Sequence, residues 1–375
     1  MRILLVSANY PNDMSFGAGQ RTTMMHHALK QVGEVTTLVL KEGRPLNQKL
    51  APAADVAAEI SYPETILLQK YSRVSAIEPL INAVVNINSF DLVIGREFAP
   101  LLALPRFRGR SIIDADDAYY RYPAGDKATS RLMSAIKTRG RLFVGQRALR
   151  RVDHAWFCCE RDQKQSTLRS SSILPNVVGT TTVAAESVRD AEPIVLMVGA
   201  LWYQPNREAI ERFLQLCWPK IRRQMPRARF RAVGAAPLEL RQRWASVPGV
   251  ECPGFVDDLS AEYRRASLTV VPVISGGGTQ IKALESLAHG RVPIVSSFVA
   301  SGFAPHLTNG ESFYVVDDQV ELSECVIALL KNPSAGEALA RRGQQIVEEK
   351  FSHQCFIQAV RTTIESFAGR TKSSY

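Results

Sequence analysis

The sequence predicts an α/β protein made of two Rossmann-like domains, and three observations carry that prediction. Short apolar runs alternate with longer segments of helical periodicity, the rhythm of parallel strands joined by crossover helices. The series is interrupted once, between residues 177 and 193, by a small and polar stretch. The two series also open alike: Ile3-Leu-Leu-Val6 is echoed by Val195-Leu-Met-Val198, each followed by a turn with proline and then a helix. A chain of 375 residues accommodates two domains of roughly 150–200 residues.

Taken in order, the first-domain strands are expected at Arg2–Asn9, Val35–Lys41, Asp91–Arg96, Ser111–Asp116, Ala155–Glu160 and Ile173–Pro175. Arg2–Asn9 has a short apolar core and no small-residue cleavage site behind it, so it reads as a strand and not a signal peptide. Helical periodicity covers Gly19–Gln31, Val74–Val85, Ala128–Arg150 and Asp162–Leu168. Residues 177–193 form the expected linker. The second domain is expected to carry strands at Ile194–Gly199, Arg229–Gly234, Gly249–Val256, Leu268–Ile274, Val292–Ser297 and Glu311–Val316. Its helices are expected over Arg207–Arg222, Leu238–Ala245, Leu259–Ala266, Gln280–His289, Leu322–Leu330 and Ser334–Lys350, with a last helix at Gln354–Ala368.

Composition narrows the function classes. Apolar residues make up 46 %, ordinary for a soluble globular protein, and no run reaches the ~18 apolar residues of a membrane span. The six cysteines show neither C-x-x-C nor zinc-ligand spacing, so free thiols in a reducing cytoplasm are expected. The net charge of +10 is uneven: residues 1–180 carry +8 and residues 181–375 carry +2. The excess concentrates in Arg131, Lys137, Arg139, Arg141, Arg147, Arg150 and Arg151, with no acid among them. Such a segment suits an anionic membrane surface or anionic acceptor, and equally a solvated helix face. Nucleic acid is not expected as a partner, because no recognition module or aromatic-basic interleaving is present.

The chemistry is densest in Ser275-Gly-Gly-Gly-Thr-Gln-Ile-Lys-Ala-Leu-Glu-Ser-Leu-Ala-His-Gly-Arg-Val-Pro-Ile-Val-Ser297. An apolar strand candidate precedes it. Gly276, Gly277 and Gly278 let backbone approach a ligand with no side chain in the way. Thr279 stands where an N-cap belongs. The helix behind it offers free N–H groups and the positive end of its dipole to an anion, with Lys282 adding charge in the first turn. Glu285, one turn further, suits a diol. Phosphate beside diol describes a nucleotide. Gly290 ends the helix before another buried strand. Glycines alone would also make a plain tight turn.

This segment resembles, nearly continuously over 20 residues, the signature of retaining glycosyltransferases of family four, glycosyl transferases group 1. The resemblance covers most of the second half well and the first half weakly. It implies the GT-B fold, two Rossmann-like domains facing across a cleft. Residues 1–176 would form the acceptor side, with the helix at 354–368 packing back on it, and residues 194–352 would bind the nucleotide sugar. It implies donor contacts from Gly276, Gly277, Gly278, Thr279 and Glu285. It implies a nucleobase contact from Gly254, Phe255 and Val256 within Pro253-Gly-Phe-Val-Asp-Asp-Leu259, where Asp257 also suits an N-cap. Gly17-Ala-Gly-Gln-Arg-Thr22 would reach toward donor phosphates and acceptor through Gly17, Gly19 and Arg21. It is not a G-x-G-x-x-G, since Thr22 holds the third glycine's place.

The chain departs from the family at three points. After Gly199 the usual arginine is Ala200, and the usual Lys-Gly is Pro205-Asn206. Lys282, the helix dipole and Arg207 are left to neutralise the leaving diphosphate. Of the family's two glutamates eight residues apart, only Glu285 is present, the other place being Gly277. The His-Asp pair expected at the end of Ser111–Asp116 reads Asp116-Asp117. Asp114-Ala-Asp116 spells a D-x-D, but GT-B enzymes generally work without such a metal site, so no metal is expected.

The expected activity is therefore retaining sugar transfer from a UDP-, GDP- or other nucleotide sugar, in cell-surface polysaccharide or glycolipid synthesis. Lys282, Asp116 and Asp117 are the catalytic candidates, with no cofactor beyond the donor. The acceptor is expected to be a sugar or a lipid-linked molecule. The location is expected to be the cytoplasm, with peripheral attachment at the inner membrane face. A nucleotide-sugar epimerase on the same fold, or a protein that only binds nucleotide sugar, stands as the alternative.

Overall fold

The structure is a computed structural model that describes residues 1–13, 17–42, 47–49, 55–62, 74–105, 107, 109–116, 131–164, 166, 168, 170–178 and 192–368. It divides into two compact units: Met1–Asn176 with the residues from Gln354 onward, and Val177–His353. Most of the polar stretch between residues 177 and 193 lies outside the described residues.

The first unit begins with β1 (Arg2–Ser7), α1 (Gly17–Lys30), β2 (Glu34–Glu42), β3 (Asn47–Lys49) and β4 (Val56–Tyr62). It continues with α2 (Val74–Val84), β5 (Leu92–Arg96), α3 (Phe98–Ala103), β6 (Arg110–Ala115) and α4 (Arg131–Leu149). β7 (His154–Phe157), α5 (Glu160–Gln163) and β8 (Ser171–Ile173) complete the contiguous part. The sheet order is β3-β4-β2-β1-β5-β6-β7-β8. Every pairing is parallel except that of β3 with β4. Ile3 through Val6 are all fully buried, as an apolar run in a sheet covered on both faces requires. The short β3–β4 hairpin and α3 were not among the expected elements. Their segments are too short, or too rich in alanine, to show a clear period.

The second unit starts with β9 (Ile194–Val198), α6 (Gln204–Leu216), α7 (Trp218–Gln224), β10 (Arg229–Val233) and α8 (Leu238–Ala245). Next come β11 (Val250–Gly254), α9 (Leu259–Arg265), β12 (Leu268–Val271), α10 (Ile281–Ala288), β13 (Pro293–Val295) and α11 (Ser297–Ala300). It ends with β14 (Tyr314–Val315), α12 (Gln319–Lys331) and α13 (Pro333–Lys350). The order is β11-β10-β9-β12-β13-β14, all parallel. Counted within the unit this is 3-2-1-4-5-6, the doubly wound order whose direction reverses between its first and fourth strands. The helix expected over Arg207–Arg222 is two helices. Pro219 occupies the first turn of α7, where its missing N–H costs nothing, and so marks a new start. Phe213, Trp218 and Phe230 close the break, with ring centroids 4.9–6.3 Å apart.

The last helix, α14 (His353–Ala368), returns to the first unit from Gln354 on. There Trp156 Nε1 donates to Thr363 Oγ1 at 3.2 Å, and Phe356 lies 5.4 Å from the Arg21 guanidinium. Among the described residues no helix is long and apolar enough to cross a membrane. All six cysteines are free, and three are buried.

Candidate nucleotide-sugar site

In the second unit the glycine-rich segment emerges from β12, and the Gly199 turn emerges from β9. These are the two strands that flank the reversal of strand order, where open α/β sheets bind ligands. Gly199 has φ +152, and a Cβ there would stand 3.0 Å from Asn206 Nδ2 and 3.2 Å from Lys282 Cε and Nζ. The missing side chain is therefore the space that Lys282 fills. Gly276 and Gly278 adopt φ +127 and +62, which L side chains rarely tolerate. Tyr203 Oη lies against Gly276, 3.3 Å from where its Cβ would be.

Lys282 is 9 % exposed. Its Nζ donates to Asn206 Oδ1 at 2.6 Å and to Gln280 Oε1 at 3.0 Å. Asn206 Nδ2 in turn donates to the carbonyl of Ala200 at 2.9 Å. Burial pulls the ammonium pKa down to about 8, against the opposing field of Glu285. Sequence reasoning read Asn206 only as a missing cationic pair; its place under Lys282 has no local signal.

Glu285 accepts a hydrogen bond of 2.9 Å from Tyr263 Oη. Burial raises its carboxyl pKa, opposed by that hydrogen bond and by Lys282. His289 stacks on the Tyr263 ring at 4.7 Å, and its ring nitrogens bond the Glu285 carbonyl and Ser260 Oγ. Tyr263 was not among the expected site residues.

Two capping expectations are corrected. Thr279 does not cap α10: Gln280 holds the N-cap position, with no side-chain cap bond. Thr279 instead packs against Gly302, where a Cβ would meet its methyl at 3.1 Å. Asp258, not Asp257, caps α9, accepting from Ala261 N at 3.0 Å. Beside this cap, Gly254 has φ +89 and accepts from Gly234 N at 2.8 Å. Phe255 is 64 % exposed, while Val256 packs on the cluster of Leu196, Val198, Val233, Tyr263 and Ala266. Gly277 continues the loop without a left-handed φ. Arg207 is half-buried in the first turn of α6, and its side chain has no hydrogen-bond partner among the described residues.

In the first unit the Gly17–Thr22 loop is corrected to helix: Gly17 starts α1. Gly19 is needed for packing, since a Cβ would stand 2.2 Å from the Asp13 carbonyl oxygen. Arg21 is not presented to a phosphate. It is 2 % exposed and donates to both Asp114 oxygens at 2.9 and 2.7 Å, to Asn176 Oδ1 and to the Leu174 carbonyl. Burial opposes its charge, and Asp114 more than compensates, raising its pKa. Asp116 pairs with Arg96 Nη2 at 2.9 Å and lies 3.5 Å from Arg21. The D-x-D carboxylates thus hold two guanidinium groups. Asp117 lies outside the described residues.

Arg96 and Glu97 at the end of β5 complete this edge, and neither was expected. Arg96 is fully buried, with Nε and Nη1 lacking any hydrogen bond. Glu97 is the non-glycine residue with positive φ, +70, among those described, a backbone state that is costly and tends to persist at working sites. Burial raises its carboxyl pKa, against the pull of Arg96. Cys158, Cys159 and Asp162 are the group of potential metal ligands found within 4.8 Å among the described residues. Cys158 donates to the Asp116 carbonyl at 3.0 Å.

Residues 192–332 match the family model for glycosyl transferases group 1. This stretch of the second unit is similar to the glycosyl transferases group 1 domain. No curated protein matches the sequence. Solved structures share the fold of the chain over nearly its full length. Sucrose-phosphate synthase from Thermosynechococcus elongatus aligns with a TM-score of 0.75 at 18 % identity, covering 98 % of this chain and 100 % of its own. HepE of Anabaena, solved with UDP and glucose, aligns at 0.67 and 15 % identity, covering 98 % and 100 %. A trehalose-6-phosphate synthase aligns at 0.67 and 12 % identity, covering 97 % and 99 %. With two Rossmann-like sheets, parallel but for the β3–β4 pair, the chain has the GT-B fold.

Proposed function

We propose that this chain is a glycosyltransferase that moves a sugar from a nucleoside-diphosphate sugar to an acceptor hydroxyl with retention, in building cell-surface polysaccharide or glycolipid. The observation that carries the reading is Lys282, held by Asn206 and Gln280 against the glycine turn at the strand-order reversal. Its charge and the dipole of α10 would stabilise the negative charge that grows on the departing diphosphate. The bond from the anomeric carbon to the phosphate oxygen breaks with its electron pair going to that oxygen. The acceptor oxygen bonds the carbon on the same face, and its proton passes to the departing diphosphate. Glu285 would hold the ribose diol through the oxygen that Tyr263 leaves unused. Gly254, Phe255 and Val256 would meet the base. Arg207 would serve as a second cation.

Asp116, fixed by Arg96, would orient the acceptor with its neighbour Asp117. HepE, solved with UDP-glucose, supports a nucleotide-sugar donor. The excess of positive charge in the first half supports a lipid-linked acceptor at the inner face of a membrane. Incubation with radiolabelled UDP- and GDP-sugars, with and without bacterial membranes, tests this. Labelled product with the donor's anomeric configuration supports the reading; inverted product, epimerised free donor, or binding without turnover overturns it.

A further inference from the structure

The second unit contains a carboxamide in an unusual position. Asn206 is buried in the first turn of α6, yet both ends of its amide are used. The oxygen takes the Lys282 ammonium at 2.6 Å, and the nitrogen gives to the Ala200 carbonyl at 2.9 Å. The amide therefore spans from the β9–α6 turn to α10, linking the two segments that flank the reversal of strand order. An ammonium has three N–H donors. Asn206 and Gln280 take two, leaving one. Gly199 lies against this pair: a Cβ there would stand 3.0 Å from Asn206 Nδ2 and 3.2 Å from Lys282 Nζ and press both aside.

We propose that Asn206 is a positioning residue for the donor: it fixes the Lys282 ammonium so that its third N–H meets the donor diphosphate, and it does so without adding charge. This rests on the reading of Lys282 as the diphosphate contact, and deepens it. A carboxylate at this place would hold the lysine as well but would repel the phosphates. A shorter side chain would leave the ammonium one acceptor fewer in a buried site, where the charged form is already disfavoured. The neutral amide does neither. The charged and titratable groups near Lys282 are Glu285, on its own helix, and the Tyr263 hydroxyl from α9, 3.4 Å from the Lys282 carbonyl. From α6 and the glycine loop it receives only the uncharged Asn206 and Gln280.

The test is the pH dependence of UDP binding to the full chain by calorimetry, from about pH 7 to about pH 9.5, above the phosphate's own titration. The native chain should lose affinity as pH rises through the lysine's titration. Asn206→Ala should bind UDP about tenfold more weakly near neutrality, the scale of a hydrogen bond to a charged group, and its alkaline loss should begin at lower pH. Asn206→Asp, nearly isosteric, should also bind more weakly near neutrality, yet lose affinity only at higher pH, because a carboxylate favours the ammonium form. Opposite displacement of the two limbs is the result that a merely structural asparagine would not give. If both variants keep the native limb, or weaken binding by one factor at all pH values, the proposal is overturned. Lys282→Ala separates the two levels: unchanged UDP affinity in that variant removes the phosphate reading itself, and the Asn206 proposal with it.

Discussion

The phenol of Tyr263 points into the carboxylate of Glu285, 2.9 Å from Oε2, while the Tyr263 ring is held from behind by the stacked imidazole of His289. One carboxylate oxygen is thereby occupied and the group's orientation fixed. Glu285→Gln should weaken UDP binding by about tenfold, the loss of a charged hydrogen-bond acceptor. Tyr263→Phe should give a smaller loss in the same direction. Titration calorimetry reads both, and circular dichroism should show an unchanged fold for Glu285→Gln.

Lys282→Ala should lower kcat/KM by about 10²–10³, the scale of removing one transition-state stabiliser. A loss below about threefold would pass the role to Arg207, the half-buried cation in the first turn of α6.

Lys282 also ties stability to pH with a sign opposite to its effect on binding. Its native pKa is about 8, against an ordinary 10.5. Between those values the unfolded chain keeps a proton that the native chain has released, so stability of the unliganded protein rises with pH in that window. Denaturant midpoints measured across the window should show this rise, and Lys282→Met should flatten it. Affinity for UDP should fall across the same range.

The Arg21–Asp114 pair is buried on both sides, with side chains 1 % and 0 % exposed. Arg21→Met leaves a carboxylate uncompensated apart from Arg96 and should destabilise the chain by about 3–5 kcal/mol. Urea unfolding measures it. A change below about 1 kcal/mol would mean that Arg96 carries Asp114 alone.

Exhaustive EDTA treatment should leave sugar transfer intact, because Asp114 and Asp116 already hold two arginines. Full loss with rescue by Mn²⁺ would reassign the pair. Arg139 and Arg147 on α4 and Arg150 just after it are exposed, whereas Arg151 donates to the carbonyls of Leu102, Leu104 and Pro105. At about 1 kcal/mol per basic residue near an anionic leaflet, changing the exposed three to glutamine should reduce salt-sensitive sedimentation with anionic liposomes. Equal binding to neutral liposomes would leave α4 as a solvated face.

The second unit was readable because its signals are local. The strand, glycine loop and helix from Leu268 to Val295 follow one another without interruption, so spacing alone marks them. What the sequence could not show are partners brought together by folding. Asn206 and Lys282 are 76 positions apart, Tyr263 and Glu285 22. In the first unit, two glycines near an arginine looked like a ligand loop. Gly19 instead lets α1 lie on the Asp13 carbonyl, and Arg21 turns inward to an aspartate 93 positions away. Glu97 sits in an ordinary strand-end sequence, and only its backbone angle distinguishes it.

The first unit is assembled from two stretches of chain, and α14 supplies Phe356 and Thr363 to it only after the whole second unit has been made. On the ribosome, where domains close as their residues emerge, the later unit is therefore complete before the earlier one. The first unit, its eight strands already made, must wait without α14 over Trp156 and the Arg21 pair while some 180 residues are added, about 10–40 s at the usual elongation rate. That interval is when chaperones would have the most to bind, and a chain released from the ribosome at residue 353 should expose the first unit, not the second, to protease.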